Sequence, residues 1–489
     1  MLVRGFLGSL LVLLGGLGVS TLPASTPLLQ TELLPAVREA EAGRMVSLAV
    51  VMLGLGLLAA QWLQLCRHVA RAEGDDRDDA LALVRHATVV WSAPLLLAPP
   101  LFSRDGWSYA AQGMLQRVGL SPYEHGPGVL GGPVVEAVDP RWMDTITPYG
   151  PVPVWFGSLV ADVTGNPWLL AVAHRCLALV GLVLLAWAVP RLARWAGLDP
   201  ALASCVVLAA PIMLTSGVGG LHNDLLMVGL MAAALVVAAE RGWVWGAALG
   251  GLAAAVKAPG GLVVIGVVLL SLPPAADLRA RLRRTTAAGA VAVGTLLGLG
   301  VVTGVGSGWV AALGVPGSVN TPLSLPTLVG GALDRVALVA GLDLPSATFL
   351  DLVRHLATAT ALVVAVVVTL RAPTGRREDA VRAVALVMGA LVLLSPVVHL
   401  WYLLWVTPFL AVVRLPRTGQ VGLLGGSLVL GLAAPLDSSL HGAYLAIALG
   451  SVLMAVLVPV LLLTRAARER IQRIVGAEWL PVPAEADQT

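Results

Sequence analysis

Charge is scarce in this chain: Asp, Glu, Lys and Arg make up 12% of its 489 residues, against 57% hydrophobic residues and a mean hydropathy of +0.87. That balance excludes a string of soluble domains and points to a polytopic membrane protein. Cysteine is nearly absent. Cys66, Cys176 and Cys205 all lie in apolar runs without C-x-x-C spacing, so they read as small buried hydrophobes with no disulfide or metal role. All but one of the 31 basic residues are Arg, which makes Lys257 conspicuous. The formal charge of +3 is small and its basic residues are dispersed, so nothing here suits nucleic acid. The sequence also lacks G-x-x-x-x-G-K-S/T, H-E-x-x-H, a convincing internal repeat and the alternation of an outer-membrane strand.

What is present is a succession of apolar runs rich in Leu, Val, Ala and Gly, and in lipid these satisfy their backbone as helices. The run from Phe6 to Val19 follows Arg4 and is read as a retained first helix rather than a signal peptide, because Ser20 to Ser25 offers no A-x-A site. Further spans are expected near 45–65, 84–101, 168–190, 201–216, 225–240, 243–256, 260–272, 286–305, 349–370, 382–398, 401–413, 419–434 and 443–464. Several fall short of the ~20 residues a perpendicular span needs. Pro259, Pro396 and Pro408 mark where these bend or break. The run Val152 to Val163 either crosses, re-enters or lies at the interface.

Charge arbitrates between those choices. With 152–163 as a non-crossing segment, most of the Arg residues fall on the cytoplasmic side, as the positive-inside rule requires. Both termini are then cytoplasmic, with 465–489 a basic tail. The loops 102–152 and 306–348 lie outside. So do Leu221 to Asp224, Lys257 to Pro259, Ser395 to Tyr402 and Asp437 to His441. Polar clusters gathered on one face mark a site there, whereas a transporter would place them at mid-membrane near repeated broken helices.

Within the 102–152 loop, Asp105 follows Phe102, Ser103 and Arg104 at the end of a span. A carboxylate there is either a general base toward a sugar hydroxyl or the cap of a helix through Tyr109 to Arg117. Trp107, Tyr109, Tyr123, Glu124, Trp142, Asp144 and Tyr149 add aromatic and acidic groups that suit sugar binding, although aromatic belts account for some of them. His222, Asn223 and Asp224 follow a glycine-rich turn. Asp224 either caps the next helix or, with His222, binds a phosphate or a hydroxyl; the set is too small for a metal site. Lys257 is either a snorkelling cation or the partner of a lipid phosphate. Arg175, beside His174 inside a span, is either functional or paired with a carboxylate such as Asp162. His399 precedes Trp401 and Tyr402 at the start of another apolar run. With no soluble module to bind a nucleotide, an activated donor has to be a lipid.

Taken in order, Phe102-Ser103-Arg104-Asp105 with Ser108-Tyr109, Pro122-Tyr123 with Gly126-Pro127, Pro148-Tyr149-Gly150-Pro151, His174-Arg175, His222-Asn223-Asp224, Lys257-Ala258-Pro259 and Ser395-Pro396 with His399, Trp401 and Tyr402 form a recognisable set. Over nearly its whole length the chain resembles the actinobacterial polyprenyl-phosphomannose-dependent α-1,6-mannosyltransferases, which are similar in architecture to the GT-C glycosyltransferases. The resemblance implies an all-α polytopic membrane protein with about 13 to 15 transmembrane helices and a long first external catalytic loop. It also implies transfer of mannose from polyprenyl phosphate mannose to a growing α-1,6-mannan of lipomannan or lipoarabinomannan at the outer face of the plasma membrane.

By the same resemblance Asp105 is the base of an inverting displacement from a β donor to an α product. Lys257, with Arg104, Arg175, His399 or His222, holds the donor phosphate. Trp107, Tyr109, Tyr123, Glu124, Trp142, Asp144, Tyr149, Asn223, Asp224, Trp401 and Tyr402 contact sugar or acceptor. No cofactor is expected to be required and no metal ligands are assigned, with a divalent cation left open. The partners implied are the lipid-linked donor, a mannan or lipomannan acceptor and membrane lipids. The competing readings are a related transferase of arabinofuranose or to another acceptor, and a flippase for lipid-linked sugars.

Overall fold

Long apolar runs bounded by Pro, Asn, Asp and Ser shape this chain, and they fold as helices throughout the described residues, with no strand. The structure is a computed structural model and describes residues 1–74, 76–321 and 323–436, together with 466 and 469. The expected span at 443–464, the cluster Asp437 to His441 and the rest of the 465–489 tail lie outside the described residues.

Among the described residues, five helices are long and apolar enough to cross a membrane: Leu2–Val19, Glu41–Ala70, Pro167–Trp195, Leu278–Val302 and Thr348–Arg371. A sixth arises if Pro200–Leu208 and Met213–Gly219, bent by 56° at their break, count as one span. The expected span at 201–216 is therefore a broken element. The expected runs at 152–163, 243–256, 260–272 and 401–413 form the shorter apolar helices Pro151–Val163, Trp243–Val256, Ala258–Ser271 and Leu400–Leu410. At about 1.5 Å of rise per residue, none of these reaches across a ~30 Å hydrocarbon core alone. Asp76–Leu96, Asp224–Arg241, Arg377–Leu394 and Arg417–Leu432 occupy four more of the expected spans. The loop expected at 306–348 is more ordered than anticipated: it contains a 3-10 stretch, Gly308–Ser318, and the helix Leu325–Val339.

Helix starts follow their capping chemistry. The Asn166 carboxamide accepts from the backbone N–H of Trp168 at 2.9 Å and of Leu169 at 3.2 Å, with Pro167 at the first helical position. Asp199, Asp277 and Ser324 cap their helices likewise. Between helices in lipid, close backbone approach replaces the hydrophobic drive. Gly181 and Gly229 meet in this way: a Cβ on Gly229 would run into the backbone of Gly181, so Pro167–Trp195 and Asp224–Arg241 pack directly against each other. Gly113 and Gly157 do the same for Asp105–Arg117 and Pro151–Val163.

Asp224–Arg241 is buried along most of its length, with Pro167–Trp195, Trp243–Val256 and Val264–Ser271 packed against it. Its N-terminus therefore lies deep among neighbouring elements, and that end carries His222, Asn223 and Asp224.

Candidate active site

The first carboxylate of the site is placed by a strained turn. Phe102 adopts φ of 64° and Leu221 φ of 56°, left-handed conformations that cost side-chain-bearing residues about 1–2 kcal/mol. These two turns deliver Asp105 and His222 respectively, and they abut: a Cβ on Gly106 would strike the Leu221 side chain. Arg175 holds both turns. Its guanidinium is fully buried and donates to the carbonyls of Leu96, Ala98 and Pro99 on one side and of Val218 and Gly219 on the other, at 2.6–3.3 Å. The pairing considered with Asp162 does not occur, since Asp162 faces Arg117 at 3.2 Å. Arg175 is thus engaged by backbone, away from the cavity, and is satisfied without a phosphate.

Asp105 begins the helix Asp105–Arg117, with its own N–H donating to the Ser103 hydroxyl at 3.1 Å. Its Oδ2 accepts from the Tyr149 hydroxyl at 3.3 Å, and that hydroxyl in turn accepts from Tyr109 at 3.1 Å. The Nδ1 of His222 stands 3.6 Å from the same oxygen. Burial pushes the Asp105 carboxyl up, but the hydrogen bond and charge of His222, with the charges of His399 and Lys257, outweigh it and hold the group down at about 2. The carboxylate is therefore ionised throughout the physiological range.

The second centre is an ammonium in an aromatic box. Lys257 is extended between Trp243–Val256 and the 3-10 turn that follows. Its Nζ donates to Asp224 Oδ1 at 2.9 Å and lies 4.7 Å from the ring centre of Tyr402, 5.1 Å from Trp405 and 5.3 Å from Tyr149. Trp405 Nε1 donates to the same Asp224 oxygen. Ring faces and a fixed carboxylate compensate the buried charge. Burial alone would lower the Lys257 ammonium, yet Asp224 raises it further, with Tyr402 and Asp105 adding to the effect.

A third group is a stack. His222 lies 3.8 Å and His399 4.3 Å from Trp401, both nearly parallel to it, so the indole is held between two imidazoles. Burial drives the His399 imidazole down to about 4, which leaves it neutral near pH 7.

Asp105, Lys257, His399 and Trp401 line one cavity of ≈ 310 Å³, whereas His222 and Asp224 are not among its lining residues. Ser108, Tyr109, Gln112, Trp142, Tyr149 and Tyr402 add polar and aromatic lining, and Leu262, Ala312, Leu313, Val315, Val319, Leu391 and Val397 add apolar lining. Within the protein, the Ser108 hydroxyl, Trp401 Nε1 and Asp224 Oδ2 have no hydrogen-bond partner. Ser108 and Trp401 line the cavity, but the Ser108 Oγ and Trp401 Nε1 atoms themselves are buried and unpaired.

Several sequence candidates lie elsewhere. Trp107 is buried edge-on against Trp168 at 6.3 Å. Tyr123 is buried and donates to the Tyr149 carbonyl at 3.0 Å, supporting the wall without lining it. Glu124 and Asp144 are exposed on the 102–152 loop, Arg104 is half-buried ahead of Asp105, and Asn223 is buried behind the cavity. Conversely, Gln112, Trp405 and the 312–319 segment were not singled out from sequence. Trp405 had a visible signal in its i+4 spacing from Trp401. Gln112, whose amide oxygen accepts from the Thr147 hydroxyl at 2.9 Å, lies on the same helical face as Asp105 and Ser108. The 312–319 segment is an unremarkable apolar stretch that only the tertiary structure brings to the cavity. Among the described residues, no group of three or more His, Cys, Asp or Glu is placed to hold a metal ion.

Residues 2–273 match a family model described as alpha-(1->6)-mannopyranosyltransferase, N-terminal domain, and residues 326–474 match one described as the MptB C-terminal domain. The chain is 33% identical over 451 residues to alpha-(1->6)-mannopyranosyltransferase A of Mycobacterium tuberculosis, covering 90% of this chain and 85% of that protein. It is 32% identical over 312 residues to the protein of the same name from Corynebacterium glutamicum, covering 60% and 64%. A probable alpha-(1->6)-mannopyranosyltransferase of Mycolicibacterium smegmatis is 30% identical over 438 residues, covering 82% and 76%. On this likeness, carried by a helical membrane scaffold, the chain belongs to the alpha-(1->6)-mannopyranosyltransferase family of glycosyltransferases.

Proposed function

We propose that the protein transfers mannose from polyprenyl monophosphate mannose to the 6-hydroxyl of an α-1,6-mannan, as in lipomannan and lipoarabinomannan assembly. In this reading its architecture is of the GT-C type, its site faces the outer side of the plasma membrane and its termini are cytoplasmic. The observation that carries the reading is a cavity lined by an ionised carboxylate and a caged ammonium together with a set of apolar side chains suited to an isoprenoid.

The chemistry follows from those groups. The acceptor O6 approaches C1 of the mannosyl phosphate from the Asp105 side. As the O6–C1 bond forms, the C1–O bond to phosphate breaks and its electron pair passes to the phosphate oxygen. The O6 proton goes to Asp105, whose orientation is set by the Tyr149 hydroxyl. Attack opposite to departure turns a β donor into an α product. Lys257, held charged beside Asp224, offsets the negative charge growing on the leaving phosphate. With a monophosphate leaving group the ammonium can meet this charge without a divalent cation, so activity should survive EDTA.

The test is mannose transfer in membranes supplied with radiolabelled polyprenyl phosphate mannose. Asp105→Asn should lower turnover by at least about 10²-fold while leaving expression unchanged. Full turnover by that variant would remove Asp105 as the base. Transfer from an arabinofuranosyl donor instead would select the neighbouring reading, and donor translocation without turnover would select the flippase.

A further inference from the structure

Away from the reacting groups, one buried cation ties the apolar part of the cavity to the segment that carries His399. Arg354 lies in Thr348–Arg371 and is only 8% exposed. Its Nη2 donates to the Val319 carbonyl at 3.0 Å and to Asn320 Oδ1 at 2.5 Å, and its Nε donates to the Thr327 hydroxyl at 3.0 Å. Thr327 passes the connection on, its hydroxyl donating to the Pro396 carbonyl at 2.7 Å. Ser324 donates to the Ser395 carbonyl at 2.8 Å, and the N–H of Val398 donates to the Thr321 hydroxyl at 2.9 Å. The 319–327 segment is thus stitched to Ser395, Pro396 and Val398, and Arg354 grips the segment from behind.

Both stitched segments form cavity wall. Val319, with Ala312 and Leu313 before it, supplies apolar lining; Val397 supplies it from the other segment, and His399, which follows, also lines the cavity. Backbone at 319–321 lies outside any helix, so these side-chain bonds set its position.

We propose that Arg354 is a positioning residue for lipid-chain recognition: by clamping the 319–327 segment to the Ser395–Val398 segment, it shapes the apolar wall that accepts the isoprenoid of the donor. The inference rests on the donor being lipid-linked. Arg354 touches neither the sugar nor the phosphate. Its removal loosens the wall along the chain and leaves Asp105 and Lys257 where they are.

The experiment compares mannosyl phosphates carrying a two-isoprene chain and a decaprenyl chain, with the full-length protein in native membranes. Wild type, Arg354→Gln, Arg354→Lys and Asn320→Ala are assayed for kcat and KM with each donor. The wild type should favour the long donor. Arg354→Gln should lower the long-to-short ratio of kcat/KM by about tenfold, the equivalent of one charge-assisted hydrogen bond. That loss should appear as a higher KM for the long donor alone. Asn320→Ala should move the ratio in the same direction by less, and Arg354→Lys should restore part of it. Because Asn320 is exposed, its truncation is expected to leave the fold intact, and it carries the test should Arg354→Gln not accumulate.

An unchanged ratio in both Arg354→Gln and Asn320→Ala, or an equal fall with both donors, overturns the proposal while leaving the lipid donor in place. A wild type indifferent to chain length overturns the proposal together with the use of the apolar wall by the donor. A wild type that accepts only a non-lipid donor removes the reading beneath it.

Discussion

The two duties proposed for Lys257, holding the fold with Asp224 and meeting the leaving phosphate, can be separated by experiment. Asp224 is fully buried, and its Oδ1 takes both the Lys257 ammonium at 2.9 Å and the Trp405 indole N–H. At that distance and an effective dielectric of about 20, the attraction between two unit charges is on the order of 6 kcal/mol. Most of this offsets the loss of hydration by both ions. Removing one partner leaves the other charge stranded, at a cost of about 3–5 kcal/mol, while removing both charges together costs little.

Lys257→Met should therefore lower the melting temperature of the detergent-purified protein by several degrees, and Asp224→Asn should do likewise. The double variant Lys257→Met/Asp224→Asn should recover most of that loss. Turnover should not recover with it, because the charge that meets the leaving phosphate is still missing; a deficit of about 10²–10³-fold is expected from the removal of one such group. Thermal unfolding and radiolabelled mannose transfer, run on the same preparations, provide the two readouts. A double variant that transfers mannose at the wild-type rate would show Lys257 to be a structural ion alone. Single variants that melt with the wild type would show that the pair does not hold the fold.

Four further outcomes follow from the site. Tyr149→Phe keeps the ring over Lys257 and removes the hydroxyl that orients Asp105, so kcat should fall by about tenfold with the donor KM unchanged; an unaltered kcat would deny Tyr149 this role. His399 is held at about 4 by burial against 6.5 when free, so the unfolded chain binds more protons between those values. Stability should be complete above about pH 6.5 and decline as the pH falls toward 4, by up to about 1.4 kcal/mol per unit. His399→Gln should flatten that slope, and an unchanged slope would place its origin elsewhere. The stabilising share of Asp105, held at about 2 against 3.8, is lost only below about pH 4, so its ionisation should leave no acid limb of kcat/KM above that value. Arg175→Met should strand five buried carbonyls at the turns that deliver Asp105 and His222, sharply lowering yield from membranes; normal yield and activity would contradict the role given to this cation.

What the amino-acid sequence determined by itself was the membrane class, the helical backbone and the set of motifs. Apolar runs in lipid leave the backbone only its own carbonyls as partners, and that constraint needs no tertiary information. Motif order likewise marked Asp105, His222, Asp224, Lys257 and His399 as polar groups at the ends of apolar runs. Other properties depended on the tertiary structure. Arg175 looked like an intramembrane ion in search of an anion, and it was the approach of two turns that satisfied it with carbonyls. Lys257 and Asp224 are 33 residues apart, and only the packing around Asp224–Arg241 makes them a pair. The 312–319 segment carried no distinctive residue type, so its place at the cavity came from packing alone, whereas Trp405 carried a signal in its spacing from Trp401. Local chemistry is written in side chains one at a time, whereas pairing and enclosure are properties of distances between elements, which a linear pattern does not contain.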